Sequence, residues 1–203
     1  MTIVAASCQN TSQSVTLMTL DPGHFHAALV QKSMLPNVNP DVYVYAPEGA
    51  DAKDHLARID SYKARKDNPT NWNEHVYAGK DYLNKMLEEK KGNVVIIACN
   101  NRLKTDYIKS SIDARLNVLA DKPMCIDSNG FEMLKAAFDS AKKNNVLLYD
   151  IMTERYEITT ILQKELANNP DVFGNLKTGT EQAPSIVKES VHNFYKIVSG
   201  KPL

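Results

Sequence analysis

The chain has 203 residues, of which 43% are hydrophobic and 24% are charged. This ordinary globular composition provides for one complete domain and part of another. The chain has 24 lysine and arginine residues and 24 aspartate and glutamate residues. This balance of charge argues against non-specific binding to nucleic acid or to anionic membranes. No segment is apolar over the length that a membrane-spanning helix requires.

Residues 1–14 precede the first predicted strand, and Cys8 is the notable residue among them. An apolar and then small-residue run, Ile3 to Ser7, leads to Cys8 and resembles the end of a bacterial lipoprotein signal. The basic n-region and the longer apolar core of a signal peptide are missing. Two hypotheses follow: a lipid anchor at Cys8 on a periplasmic or cell-envelope protein, or a disordered tail on a cytoplasmic protein.

Alternating apolar positions over Val15–Leu20 predict a first strand that ends at the turn Asp21-Pro22-Gly23. Helical spacing follows over His24–Met34, and a second β-rich run covers Val42–Tyr45. The sequence then predicts a helix over 51–66, a short strand at Val76-Tyr77, and a helix over 80–91 capped by Gly92.

Residues 94–126 are the most informative stretch. An apolar run from Val94 to Ala98, a polar turn, a helical segment and a second apolar run from Val118 to Ala120 predict one βαβ unit with parallel strands. The second run stops at Asp121-Lys122-Pro123. In open α/β sheets, ligands bind outside the carboxyl ends of the strands, where both polar turns of this unit fall.

A helix with Ser128 as its N-cap is predicted over 130–143, and a strand over Val146–Tyr149 completes the pattern. The alternation of strands and helices over 15–150 predicts a Rossmann-type α/β domain with a doubly wound parallel sheet. From residue 151 the pattern changes to a helix over 157–167, a turn at 168–170, and alternating residues up to Tyr195. Residues 151–203 are therefore predicted to begin a second domain, which would be incomplete here.

Asp121-Lys122-Pro123 resembles the Glu-Lys-Pro signature of the Gfo/Idh/MocA oxidoreductases, which include glucose–fructose oxidoreductase and inositol dehydrogenase. The segment Cys99–Lys104 stands in the register of the family's Thr-Pro-Asn-x-x-His, with Asn101 as its one match. The resemblance implies a nicotinamide-binding Rossmann domain, followed by an α/β domain on an open, largely antiparallel sheet.

A Rossmann fold places the pyrophosphate of its cofactor on a G-x-G-x-x-G turn. This chain has Asp21-Pro22-Gly23-His24-Phe25-His26, in which only the middle glycine remains. Asp21 is expected to repel a pyrophosphate, whereas His24 or His26 could contact it. The alternative is a strand-to-helix connection that binds no ligand. On the first interpretation, the cofactor-binding residues of this turn are Pro22, Gly23, His24, Phe25 and His26.

Glu48, near the end of the second predicted strand, is the candidate acid for the adenine ribose, and it favours NAD over NADP because a carboxylate repels a 2′-phosphate. Arg58, Lys63 and Arg65 are interpreted as a solvated helix face. The resemblance adds four further cofactor contacts at the ends of the strands: Cys99, Asn100, Asn101 and Asp121.

Lys122 matches the lysine of the family signature, which implies a catalytic role at the hydroxyl group of a substrate. The resemblance also makes Arg155 and Tyr156 candidates for substrate binding, and His192 on a later predicted strand is a further candidate. The alternative for Lys122 is a solvated turn lysine. The family's remaining proton-relay residues have no clear equivalents in this sequence.

The resemblance therefore implies an NAD- or NADP-dependent oxidoreductase acting on a sugar, a sugar derivative or a cyclic polyol. The altered turn favours a tightly bound cofactor, and relatives that dimerise or tetramerise imply a homo-oligomer. Alternatives are an enzyme fragment, or a carbohydrate-binding or assembly module that has lost its chemistry. Without C-x-x-C spacing, a Cys/His cluster, HExxH or a P-loop, the sequence gives no reason to expect a metal.

Overall fold

A computed structural model of the chain describes residues 14–152, 156–175, 177–187, 197–198 and 201–202. The chain divides into two compact units between Asp150 and Ile151. Within the described residues, no helix combines the length and the apolar character needed to cross a membrane. Cys8, the candidate lipid anchor, lies outside these residues.

The first unit is built on a six-stranded parallel sheet, so the predicted doubly wound fold is confirmed. The strands follow the order β3-β2-β1-β4-β5-β6, which is the strand order of a Rossmann fold. Their bounds are β1 Leu17–Leu20, β2 Asp41–Ala46, β3 Asn73–Ala78, β4 Val94–Ile97, β5 Asn117–Ala120 and β6 Leu148–Asp150.

Helices connect the successive strands of this sheet. Their bounds are α1 His26–Leu29, α2 Ala50–Lys63, α3 Tyr82–Glu89, α4 Asn101–Asp113 and α5 Ser128–Asn144. Helices α4 and α5 pack against each other beside β4 and β5. Met18, Val95 and Ile97 from the sheet and Ile108 and Ile112 from α4 are completely buried in one cluster. Each such side chain stabilises the fold by roughly 1.5–3 kcal/mol, which explains the near-continuous apolar runs.

The first helix is much shorter than the predicted His24–Met34. Helix α1 ends at Leu29, and the main-chain carbonyl of Gln31 accepts a hydrogen bond of 2.8 Å from the indole Nε1 of Trp72. The Gln31 side chain donates to Glu74 on β3 at 2.9 Å. Trp72 and Glu74 come from the region of β3, far along the chain from this helix. The spacing of apolar residues over 24–34 therefore could not show that the helix ends after one turn.

Three helix caps also differ from the predictions. Lys90, with φ 45°, caps the C-terminus of α3 in place of the predicted Gly92. Gly92 instead lies where a Cβ would be 2.6 Å from the Thr16 carbonyl oxygen. Asp127 caps α5 by accepting from the Gly130 amide at 2.7 Å, one residue before the predicted Ser128. The predicted turn at 168–170 begins a short helix capped by Asn169.

The second unit contains helices α6, Ile158–Ala167, and α7, Pro170–Phe173. Glu157 caps α6 by accepting hydrogen bonds from the amides of Thr159 and Thr160. Strands β7, Ile197–Val198, and β8, Lys201–Pro202, pair antiparallel. Most of the alternating stretch that predicted further strands, residues 188–196, lies outside the described residues.

Candidate functional site

The candidate site lies where the strand order reverses, between β1 and β4. At this position the carboxyl ends of β1, β4 and β5 open a crevice in which doubly wound folds bind ligands. The amides of Gly23 and His24 both donate to the Ala98 carbonyl, at 3.0 and 2.8 Å. These two N–H groups therefore tie the first turn to β4 and are not directed toward a phosphate.

Gly23 lies between the first turn, α2 and the residues that follow β4. A Cβ at this position would lie 3.4 Å from the Asn100 amide nitrogen, 3.4 Å from Asp51 Oδ2 and 3.6 Å from the Cys99 Cα. A Cβ here would make ordinary van der Waals contacts, and these surrounding groups form a cradle beside Gly23. Asp51, in the first turn of α2, brings a carboxylate to this cradle, and the sequence analysis had not selected it. Glu48 is exposed in the loop before α2.

Asp21 is hydrogen-bonded to a residue that the sequence analysis did not connect with it. Its backbone is left-handed, with φ 46°, and its Oδ2 accepts a hydrogen bond of 2.9 Å from the Tyr107 hydroxyl. Tyr107 is also hydrogen-bonded to Tyr82. Burial raises the pKa of Asp21, the Tyr107 hydrogen bond opposes this rise, and the charge of Asp51 adds to it. The Asp21 carboxylate is therefore oriented by a tyrosine of α4, and its repulsion of a pyrophosphate stays a prediction.

Asp121 is the centre of a buried polar cluster at the end of β5. The two imidazoles of the first turn approach it from one side: His26 Nδ1 lies 2.9 Å from Oδ1, and His24 Nδ1 lies 3.1 Å from Oδ2. The Lys122 amide donates to Oδ1 at 2.9 Å. Burial alone would raise the pKa of Asp121, but the contacts with His24, His26 and the Lys122 charge hold it below its ordinary value.

Lys122 follows Asp121 directly, just after the end of β5. Its Nζ lies 3.9 Å from Asp121 Oδ1, and about half of its side chain, 52%, remains exposed. The peptide bond to Pro123 is cis. The main chain of the lysine is therefore held by a buried carboxylate, while half of its side chain is exposed to solvent.

Lys104 is a second lysine of this region, and it is 1% exposed. It occupies the place of the histidine in the family's Thr-Pro-Asn-x-x-His, and its Nζ donates to Asn101 Oδ1 at 2.8 Å. Burial lowers the pKa of Lys104; the neighbouring Cys99 and the Asp121 carboxylate oppose this effect, and the Lys122 charge reinforces it. The sequence had aligned Lys104 with that histidine but assigned it no role.

Cys99 is buried, and burial raises the pKa of its thiol to about 12. The thiol is therefore protonated and contributes packing rather than reactivity. Asn100, also predicted to contact the cofactor, caps α4 by accepting from the Arg102 amide at 3.0 Å.

A small polar cavity of about 60 Å³ lies beside the first turn. Both ring nitrogens of His55 are buried without a hydrogen-bond partner, and burial lowers the pKa of this histidine to about 4. The cavity is lined by Pro22, Gly23, His24, Phe25, Asp51, Asp54, His55 and Arg58.

The three cationic residues interpreted as a solvated face of α2 are instead partnered. The Arg58 guanidinium lies 5.9 Å from the centre of the Phe25 ring. Lys63 pairs with Glu74 at 2.5 Å, and Arg65 donates to the Lys32 carbonyl. Arg58 therefore belongs to the candidate site.

Three of the predicted substrate-binding residues, Arg155, Tyr156 and His192, belong to the second unit. Tyr156 is 72% exposed within that unit. Arg155 and His192 lie outside the described residues.

The residues of the crevice fit a nicotinamide dinucleotide. Gly23 adds no side chain to the cradle, Asp51 provides an acceptor suited to ribose hydroxyls, and Arg58 provides a cation beside the turn. The altered turn therefore keeps the middle glycine of the Rossmann turn, while its Gly23 and His24 amides are bound by the Ala98 carbonyl.

Residues 42–150 match the family described as oxidoreductase family, NAD-binding Rossmann fold, and residues 162–203 match an oxidoreductase C terminal domain. A crystal structure from Parabacteroides merdae, described as that of an oxidoreductase, is 58% identical with a TM-score of 0.85. The alignment covers 94% of this chain and 44% of that one, so the chain spans less than half the length of this relative. No curated protein matches the chain.

More distant structures share the fold. Biliverdin reductase from Synechocystis, solved with biliverdin and NADP⁺, is 11% identical over 76% of this chain and 43% of its own, with a TM-score of 0.55. UDP-N-acetylglucosamine 3-dehydrogenase from Acidithiobacillus ferrooxidans is 13% identical over 74% and 42%, with a TM-score of 0.51. With the family match extending over more than half of the sequence, this chain belongs to the Gfo/Idh/MocA oxidoreductases, a family with an NAD-binding Rossmann fold.

Proposed function

We propose that this protein is an NAD(P)-dependent oxidoreductase that acts on a hydroxyl group of a sugar, a sugar derivative or a cyclic polyol. The observation that carries the proposal is the position of Lys122. Its half-exposed amine stands beside the buried carboxylate of Asp121, at the switch point that also holds the Gly23 cradle. The family match supports the same cofactor and reaction class.

The roles of the protein residues follow from this geometry. A bound nicotinamide supplies the acceptor for the hydride that leaves the substrate carbon. The Lys122 ammonium donates a hydrogen bond to the substrate oxygen and stabilises the negative charge that develops there. It relays the hydroxyl proton by releasing one of its own to water as the carbonyl forms. Asp121 positions Lys122 through the main-chain hydrogen bond of 2.9 Å and the ion pair of 3.9 Å.

The proposed cofactor is NAD, and it is proposed to be tightly bound. Asp51 beside Gly23 and the neighbouring Asp54 place negative charge at the cradle, which disfavours the 2′-phosphate of NADP. Arg58 is the opposing cation. Comparing the binding of NADH and NADPH tests this preference, and Asp51→Asn is expected to weaken it.

The substrate class is supported by the kinds of hydroxyl compound named for structures of this fold. One is described as a myo-inositol dehydrogenase of Sinorhizobium meliloti, with 13% identity and a TM-score of 0.54. Another is the UDP-N-acetylglucosamine 3-dehydrogenase. Arg155, Tyr156 and His192 are proposed to contact the substrate from the second domain, which spans 151–203. Anchoring through Cys8 in the cell envelope and assembly as a homo-oligomer stay proposals.

The first experiment is to denature the purified protein and to measure released NAD and NADP, and then to titrate the cofactor-free protein with NADH. Released cofactor or a micromolar-range NADH response supports the proposal, and oxidation of cyclic polyols and sugars is then screened. Lys122→Met should lower turnover by about a hundredfold or more while it retains NADH binding. Lys135→Met, at an exposed lysine of α5, is the matched control.

A carbohydrate-binding module without chemistry is the second candidate. The amides of Gly23 and His24 favour it, because both are engaged by the Ala98 carbonyl instead of a ligand. A protein that contains no cofactor, does not bind NADH and retains sugar binding after Lys122→Met would replace the enzyme proposal with this one.

A further inference from the structure

His24, His26 and Asp121 bring three potential metal-ligating atoms together in the described part of the chain. The Nδ1 atoms of the two histidines and a carboxylate oxygen of Asp121 all lie within 4.8 Å of one another. The carboxylate is 2% exposed, and the side chains of His24 and His26 are 17% and 11% exposed. The three groups are therefore largely removed from water, at the first turn and at the end of β5.

Hydrogen bonding does not account for the whole cluster. His26 Nδ1 is hydrogen-bonded to Asp121 Oδ1 at 2.9 Å. His24 Nδ1 lies 3.1 Å from Oδ2, close enough for an ion pair, and this buried nitrogen makes no hydrogen bond of regular geometry. A buried polar atom with no hydrogen-bond partner costs free energy, and a cation shared by the three groups would remove that cost.

We propose that His24, His26 and Asp121 bind one divalent transition-metal ion of the zinc class. Two neutral imidazoles and one carboxylate are a donor set typical of zinc and its neighbours, and they leave a fourth position for water or a ligand. Mg²⁺ and Ca²⁺ prefer sites made of oxygen atoms and are not expected to bind here.

Nearby lysines limit the strength of this site. The Lys122 Nζ lies 3.9 Å from Asp121 Oδ1, and buried Lys104 adds a second positive charge that interacts with Asp121. These charges weaken the attraction of the carboxylate for a cation. An affinity in the micromolar range is therefore expected, rather than that of a structural zinc site.

The test is direct Zn²⁺ binding by the purified protein after treatment with a chelator, measured by calorimetry without cofactor or substrate. Binding of one Zn²⁺ per chain is expected, and Co²⁺ should give the intense visible absorption of a four-coordinate site. His24→Gln and Asp121→Asn should each weaken binding by at least about tenfold, since even outer-shell partners of a metal contribute that much. Circular dichroism checks that each variant is folded.

His75→Gln is the matched control, because His75 is exposed on β3 and pairs with Asp41 at 2.8 Å away from the cluster. Loss of Zn²⁺ binding in His24→Gln with retention in His75→Gln supports the site. The proposal is overturned if the protein does not bind Zn²⁺, if Mg²⁺ binds equally well, or if folded His24→Gln and Asp121→Asn variants bind as the unmodified protein does. The measurement involves no turnover, so failure of the proposed enzyme activity would leave its result unaffected.

Discussion

His55 should make the stability of this protein depend on pH below neutrality. Its side chain is buried on α2, and neither ring nitrogen has a hydrogen-bond partner. Burial, with a smaller contribution from the Arg58 charge, lowers the pKa from 6.5 to about 4. The other titratable groups at the same cavity are Asp51, Asp54 and His24.

The sign of the effect follows from which state binds the proton. Above pH 6.5 the ring is neutral in both the folded and the unfolded chain, so His55 adds no pH dependence. As the pH falls from 6.5 toward 4, the unfolded chain takes up a proton that the folded protein does not, and the free energy of unfolding decreases. With about 1.4 kcal/mol for each pKa unit, the loss is about 2 kcal/mol at pH 5 and about 3 kcal/mol below pH 4.

The assay is urea denaturation of the unmodified protein and of His55→Gln at pH 7.5 and pH 5. Glutamine does not titrate, so only the unmodified protein loses the His55 contribution as the pH falls. The difference in free energy of unfolding between the unmodified protein and His55→Gln should therefore shift by about 2 kcal/mol in favour of the variant between pH 7.5 and pH 5. His55→Leu should show the same relative change whatever its stability at pH 7.5. Parallel pH profiles for the unmodified protein and both variants would contradict the reasoning.

Two further predictions test main-chain features of the fold. Gly92→Ala should destabilise the protein by about 1–3 kcal/mol in urea denaturation, because its Cβ would lie 2.6 Å from a main-chain carbonyl oxygen. Gly49→Ala is the control, since its Cβ would meet nothing within 4 Å and its effect should be nearly neutral. Asp127→Ala should lower the free energy of unfolding by about 1 kcal/mol through loss of the α5 cap, and Ser128→Ala should lower it by less than half as much. Equal losses of stability in Gly92→Ala and Gly49→Ala would contradict the close contact at Gly92. Equal losses in Asp127→Ala and Ser128→Ala would contradict the cap at Asp127.

The central strands of the sheet could be predicted from the sequence because β1 and β4 are buried on both faces. Residues 94–97 and 117–120 appear as short apolar runs followed by polar turns, and both proved to be parallel strands. Lys122 was found for the same reason, since its motif follows directly on the second run. Helix ends were less predictable: the indole that binds the Gln31 carbonyl comes from Trp72, far along the chain.

The sequence by itself determined the order of strands and helices and the place of Lys122, because apolar periodicity and a short contiguous motif are local properties. Only the tertiary structure decided what surrounds that lysine. It turned Asp21 toward Tyr107, brought Asp51 to Gly23, and joined His26 to Asp121 across 95 residues of sequence. The strand order sets these neighbours, because it places β1 beside β4 and so brings together side chains that no local pattern relates.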